Sequence, residues 1–222
     1  MEIGSKEWHR LIIDGARKLG IEIDEAVTGL FSIHASELIN WNRKINLTAI
    51  TDPREIAFKH FLDSLAPAGF IPDKARLLDI GSGGGFPGLP LKIFIPTISA
   101  LLIDGVRKKI NFLKHVLRTL GLENIEARQI RPEILLKDPG YAASFDVIIS
   151  RALADLSTFV KSALPLLAKH GTIIAMKGQV DAKELDTVCS DVAENQYSLE
   201  IETYGLRSID SQRSLVIIKH LQ

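Results

Sequence analysis

From Arg76 to the C-terminus, short apolar runs alternate with longer stretches in which apolar residues recur every three or four positions. The short runs predict strands at 76–80, 99–103, 124–128, 145–150, 171–176, 198–204 and 213–219. The longer stretches predict helices over about 88–95, 106–120, 153–168 and 181–194. Such alternation points to a mostly parallel sheet with helices on both faces. The last two strands have only Gly205 to Gln212 between them, too little for a crossover, so they should form an antiparallel hairpin at one side of the sheet. Before residue 66 the pattern is helical. Trp8, Leu11, Ile12, Ala16 and Leu19 share one face, which Gly20 ends. Asp24 suits the cap of a second helix carrying Val27, Leu30, Phe31, Leu38 and Trp41. Asp52-Pro53-Arg54-Glu55 starts a third, which should run past His60. The expected organisation is a helical extension over 1–65 and an α/β core over 66–222.

The sharpest break in this pattern follows the first strand. Leu77-Leu78-Asp79-Ile80 runs into Gly81-Ser82-Gly83-Gly84-Gly85-Phe86-Pro87-Gly88, five glycines in eight residues, and an apolar helix start follows. Strand, glycine turn and helix N-terminus is how an α/β protein makes a nucleotide-sized site. Glycine permits positive φ and close approach of a ligand, and a helix end offers unpaired N–H groups to an anion. Gly83, Gly85 and Gly88 match G-x-G-x-x-G, which is weak evidence for NAD and begins late relative to the strand end. Counted from the strand, the pattern is Asp79-x-Gly81-x-Gly83-x-Gly85, which resembles motif I of the class I S-adenosylmethionine (SAM) methyltransferases. The second strand ends at Asp104, where an acid bonds ribose hydroxyls in a βαβ unit. Ribose is common to NAD and SAM, and the same acid also suits the N-cap of the next helix.

Composition narrows the classes. Of 222 residues, 46% are hydrophobic and 24% charged, an ordinary globular balance. No apolar run is long enough to span a bilayer and the N-terminus lacks a signal-peptide pattern, so a cytoplasmic protein with no membrane partner is expected. The single cysteine, Cys189, agrees with a reducing compartment and is expected as a small buried apolar residue of its helix. Six histidines show no ligand spacing, so no metal site is expected. Lys and Arg number 27 against 27 Asp and Glu, so any nucleic acid must be met by a local basic patch.

Further motifs extend the likeness along the chain. Trp41-Asn42-x-x-x-Asn46-Leu47-Thr48 is followed by His60-x-x-Asp63-Ser64, then by the glycine loop with Phe86-Pro87-Gly88-Leu89-Pro90. Lys108-Lys109-x-x-Phe112-Leu113, Phe145-Asp146-x-x-x-Ser150-Arg151-Ala152 and Lys177-Gly178-Gln179 complete the set. In this order and spacing the chain resembles the bacterial ribosomal RNA small-subunit methyltransferase G family, also called glucose-inhibited division protein B. The likeness runs from about residue 40 to the C-terminus. It implies an α/β, class I SAM-dependent methyltransferase (Rossmann-like) fold. The sheet should be seven-stranded and mostly parallel, with one antiparallel strand. It further implies conversion of SAM to S-adenosylhomocysteine while N7 of one guanine, position 527, is methylated in 16S rRNA or the small ribosomal subunit; a monomer is expected, although the sequence does not fix the oligomeric state. The cofactor residues it implies are Asp79, Gly81, Gly83, Phe86, Asp104, Pro132, Glu133 and Arg151. Pro132 departs from the family pattern, because proline has no N–H to offer adenine.

The residues after the fourth strand separate methyltransferase chemistries. Amino-group methylation uses an Asn/Asp-Pro-Pro-aromatic element there, where this chain has Ser150-Arg151-Ala152. Methylation at C5 of a pyrimidine needs a cysteine nucleophile, and Cys189 is remote in sequence from every motif. Guanine N7 carries a lone pair and no proton, so it needs positioning and no general base, and no catalytic residue is expected. The candidates for contact with RNA are Arg43 and Lys44 before the third helix, His60, Lys108 and Lys109 in a basic stretch after the second strand that also includes Arg107, Lys114 and Arg118, and Lys177 at the end of a strand. Two other functions compete: an NAD-dependent oxidoreductase, and an RNA-binding protein that keeps the fold without catalysis.

Overall fold

A computed structural model describes residues 1–151, 155–194, 196–206 and 212–221. Its N-terminal helices begin at the capping acids and hydroxyls of the sequence. Ser5 accepts from the Trp8 N–H to start α1 (Lys6–Lys18), and Asp24 accepts from the Val27 N–H to start α2 (Glu25–Asn42). Asp52 caps α3 (Pro53–Ile56), which continues through a π-helical stretch, Ala57–Leu62, into α4 (Asp63–Leu65) and a 3-10 turn, Ala66–Phe70. The third helix therefore runs past His60 as expected, but not with uniform α geometry. A widened π turn inside a helix is a frequent mark of a functional site, and this one carries Lys59 and His60.

Among the described residues seven strands follow: β1 (Arg76–Ile80), β2 (Ser99–Asp104), β3 (Ile125–Gln129), β4 (Phe145–Arg151), β5 (Leu167–Lys177), β6 (Tyr197–Tyr204) and β7 (Arg213–His220). Their order is β3-β2-β1-β4-β5-β7-β6. β7 runs antiparallel to both β5 and β6, and the other neighbours are parallel. The expected hairpin is present, and its second arm is the one that joins β5. Connecting helices are α5 (Gly88–Phe94), α6 (Arg107–Leu120), α7 (Pro132–Leu135), α8 (Leu156–Ala163) and α9 (Ala182–Glu194). α8 is shorter than the 153–168 expected. Asp155 caps it through the Thr158 N–H, and it tightens into a 3-10 turn at Leu164–Leu166, around Pro165. Ala152, the last residue of the Ser-Arg-Ala motif, lies outside the described residues.

Central strands are apolar on both faces, as a covered parallel sheet requires. Leu77, Leu78, Val147, Ile148 and Ile149 are fully buried. One apolar cluster joins the extension to the core: Trp8, Phe31, Leu38 and Phe61 pack with Phe86, Leu89, Phe112 and Leu113. Strand order reverses between β1 and β4. A crevice therefore opens at the carboxyl ends of these strands, where the glycine loop begins.

Candidate functional site

The loop after β1 adopts the conformations its glycines allow. Gly81, Gly83 and Gly85 have φ of 75°, 55° and 93°, values costly for any residue with a Cβ. A Cβ on Gly81 would meet nothing within 4 Å, so the space above the loop is open. Gly88 serves a different purpose, since a Cβ there would come within 2.4 Å of Leu102 and 2.7 Å of Asp79. Asp79, fully buried, accepts the Gly88 N–H at 2.8 Å and so ties the end of β1 to the start of α5. Its other oxygen has no partner, and burial pushes the carboxyl up to about 7.

Nearly all the loop N–H groups are already used. Gly81 and Ser82 donate to Ile103 O, and Gly85 and Phe86 to Ser82 O. Gly83 donates to Asp104 at 3.1 Å, and Leu89 to Gly85 O. The expected row of free N–H groups at the helix end is therefore absent, because the loop folds back on itself and on β2. Pyrophosphate needs such a row, whereas SAM carries no phosphate. Open space over Gly81 and Gly83 fits SAM's amino-acid end. Asp104, at the end of β2, also accepts the Val106 N–H at 2.8 Å and Lys109 Nζ at 3.4 Å, so it pins the loop and the start of α6 together. Arg131 lies against Gly105, next to Asp104, and the following Pro132 starts α7 with Glu133 exposed.

Arg151, at the end of β4, is the hub of the site. Its Nη1 donates to Lys59 O at 2.8 Å and lies 3.5 Å from Asp63 Oδ2. Its Nη2 donates to His60 Nδ1 at 3.3 Å, and the guanidinium sits 5.0 Å from the centre of the Phe86 ring. Phe86 is near-parallel to two imidazoles, His60 at 4.5 Å and His34 at 4.7 Å. Burial and the nearby Arg151 charge lower His60 to about 3; burial lowers His34 to about 4. Both rings are neutral at physiological pH. His34 Nε2 donates to Gly84 O at 2.8 Å, which makes α2 a support for the glycine loop. Asn42 closes the turn after α2 by accepting from the Leu47 and Thr48 N–H groups, and Thr48 then meets His60 Nε2 at 2.9 Å.

Asp63 is buried and accepts from Tyr204 Oη at 2.8 Å, with Arg213 Nε 3.7 Å away. Tyr204 and Arg213 are cross-strand partners of the β6–β7 hairpin. Burial and the Asp63 charge raise the Tyr204 phenol well above its ordinary range. Together these groups line a cavity of about 320 Å³ with Ile50, Lys59, His60, Arg151, Met176, Lys177 and Gly178. The cavity lies beside Phe86, at the carboxyl ends of β4 and β5.

The structure separates the basic candidates. Arg43 and Lys44 are exposed at the end of α2, and Lys108 on α6. Lys109 is engaged by Asp104. Lys177 faces the cavity rim, but its Nζ bonds both oxygens of Glu184 at 2.5 Å, so its charge is neutralised within the protein. His60 is buried and fully hydrogen-bonded. Cys189 is exposed on α9, not buried as expected, because Val188 and Val192 take the inner face. Sequence reasoning gave no role to His34, Asp63, Tyr204 or Arg213. The His60-x-x-Asp63 spacing was a signal for Asp63, since residues three apart share a helix face. Tyr204 and Arg213 gave none, because their meeting depends on hairpin register. Among the described residues no group of His, Cys, Asp and Glu could hold a metal ion, and no helix is long and apolar enough to cross a membrane.

Comparison with known proteins agrees with this geometry. A family model described as rRNA small subunit methyltransferase G matches residues 28–213. The chain is 45% identical over 210 residues to the Ribosomal RNA small subunit methyltransferase G of Geobacter sulfurreducens, covering 94% of this chain and 96% of the relative. The protein of the same name from Oceanobacillus iheyensis is 36% identical over 210 residues, covering 93% and 88%. Among solved structures, YcgJ of Bacillus subtilis superposes with a TM-score of 0.57 at 14% identity, covering 73% of this chain and 100% of that one. M. jannaschii TYW2 in complex with AdoMet gives 0.55 at 13%, covering 71% and 73%. These two likenesses show the fold, the Rossmann-like α/β sheet that the sequence predicted.

Proposed function

The chain belongs to the rRNA small subunit methyltransferase G family, and from that premise we propose that it methylates N7 of guanine 527 in 16S rRNA, with SAM as donor. The carrying observation is the cavity lined by His60 and Arg151, both of which lie against Phe86 of the glycine loop, with no cysteine or serine in its lining. When bound, SAM supplies an electrophilic methyl group on a cationic sulfur. Gly81 and Gly83 leave room for its amino-acid end, and Asp79 and Asp104 hold the loop that supports it. Phe86 forms the wall between the loop and the cavity, held by His34 and His60 on its ring.

Chemistry at N7 needs no proton removed, and the site agrees with that demand. His60 has its Nδ1 lone pair occupied by Arg151, so it is no free base. Arg151 and Asp63 make the cavity floor polar and rigid, which suits holding a flat acceptor about 3–3.5 Å from a methyl carbon. The consumed N–H groups of the loop argue against the NAD-dependent alternative, and the preserved family match over the loop argues against a non-catalytic platform.

Labelled SAM offered with small ribosomal subunits and with naked 16S rRNA tests the reading. Label should enter RNA and map to one N7-methylguanine at position 527. Label in protein, in another base position, or in neither substrate would overturn it.

A further inference from the structure

Two cations that a sequence reading assigns to RNA, Lys109 and Lys177, are held by carboxylates of the protein. The outer face of α6 carries others. Arg107, Asn111, Lys114 and Arg118 follow one another at four-, three- and four-residue spacing, and all four are exposed. They form one polar stripe, roughly 16 Å long at the helical rise, from the cofactor end of α6 to its far end. Arg107, Lys114 and Arg118 make no ion pair among the described residues. Glu37 is committed to His115 at 2.7 Å, and Glu126, which lines the neighbouring groove and whose charge also acts on Lys114, is bonded to Arg128 at 2.6 and 2.8 Å.

At the far end the stripe borders a groove of about 580 Å³ between α2, α6 and the edge strand β3. Trp41 forms one wall, with its ring 5.3 Å from His115 and edge-on to Phe112. Leu117, Leu122, Ile125 and Ala127 supply an apolar floor, and Lys114 and Arg118 stand on the rim. The Arg118 Nε donates to Lys114 O, which orients the guanidinium and leaves its two terminal nitrogens for a ligand. Arg43 and Lys44, exposed just beyond Trp41, add positive charge at the same helix end.

Unpaired cations around an aromatic, apolar trough are the chemistry of a single-stranded nucleotide site: phosphates on the rim, a base against the ring. We propose that this groove binds an unpaired nucleotide of the RNA substrate, away from the reacting guanine, with its flanking phosphates on Lys114 and Arg118. The proposal rests on the rRNA methyltransferase reading and adds a second contact that would orient the substrate over the cavity beside Phe86.

The test is a Lys114→Gln/Arg118→Gln double variant, compared with Lys108→Gln. Trp41 is left in place because it packs on Phe112. Affinity for small ribosomal subunits is measured apart from methyl transfer, with SAM affinity by calorimetry and thermal unfolding as controls. The double variant should bind subunits about tenfold more weakly at physiological salt, and its salt slope should flatten by about 1.4, the loss of two single-strand phosphate contacts. SAM affinity should stay within twofold and Lys108→Gln should change less. Unchanged subunit affinity and slope would overturn the groove assignment. So would a parallel fall in SAM affinity, or a shift in sedimentation showing that the groove seats a second copy of the chain. If the wild type binds subunits but transfers no methyl group, the proposed reaction fails while the binding comparison still decides the groove.

Discussion

His60 Nδ1 accepts from Arg151 Nη2 at 3.3 Å, across 91 residues of sequence. Arginine is always a donor, so this contact fixes the imidazole tautomer: the lone pair faces Arg151, and the proton on Nε2 is donated to Thr48 Oγ1. One ring therefore links the π stretch, the turn after α2 and the end of β4. The Phe86 ring lies against the same imidazole, so the glycine loop is coupled to all three.

The loop glycines should separate binding from folding. Gly81→Ala adds a Cβ into open space at positive φ, so stability should fall by only about 1–2 kcal/mol. SAM affinity should drop at least tenfold, because that open space is the ligand's. Gly88→Ala drives a Cβ into Leu102 and Asp79 and should cost more stability than Gly81→Ala. Calorimetry with SAM and urea unfolding of both variants check this; unaltered SAM affinity in folded Gly81→Ala contradicts the loop assignment.

Arg151→Ala should be severe for both stability and transfer. It leaves Asp63 buried with a diminished counter-charge and His60 Nδ1 without its donor, and breaking such a pair costs about 3 kcal/mol or more. Methyl transfer should fall by well over tenfold. Arg151→Lys should recover part of the stability and less of the activity, since an ammonium cannot span Lys59 O, Asp63 and His60 together. Equal recovery of both would mean that only the charge matters.

Acid should weaken the fold through the site itself. His34 and His60 are near 4 and 3 in the folded chain, against about 6.5 when unfolded. Between about pH 4 and 6.5 the unfolded chain therefore binds two more protons there, and stability falls as pH falls. Asp79, raised to about 7, acts oppositely, because the folded chain keeps its proton from about pH 4 to 7. Two groups against one leave a net loss of about 1.4 kcal/mol per pH unit on acidification. Urea midpoints at pH 6.5, 5.5 and 4.5 measure the slope. Asp79→Asn should steepen it and His60→Gln should flatten it; identical slopes in all three proteins would refute the assignment.

Lys177 should behave as a structural cation. Its Nζ is bonded to Glu184, which also accepts the Leu156 N–H at the start of α8. A double-mutant cycle of Lys177→Met and Glu184→Gln should show coupling on the order of 1–2 kcal/mol, between the values of exposed and buried pairs. Subunit binding by Lys177→Met should change less than binding by the Lys114→Gln/Arg118→Gln variant. The reverse ranking would return Lys177 to the RNA surface.

Local rules were enough for much of this protein. Periodicity located the seven strands of the described residues; in the central ones, burying both faces of a parallel sheet forces continuous apolar runs, whereas β3 and β6 at the edges are largely exposed. Capping acids at Asp24 and Asp52 began helices because their carboxylates satisfy N–H groups only three residues away. The glycine loop was legible for the same reason, as positive φ at Gly81 and Gly83 is a property of the chain itself. The partners of each side chain were decided in three dimensions. The sequence offered Asp104 as a local cap, as its bond to Val106 shows, but nothing in it says that Asp104 also takes the Gly83 N–H, that Lys177 faces Glu184, or that Tyr204 and Arg213 reach Asp63 from a distant hairpin. Those pairings follow from strand order and register, which set distances between residues far apart in the chain. The free energy of a charge depends on what lies within a few ångströms of it, so its role could be read only once the fold had brought its neighbours together.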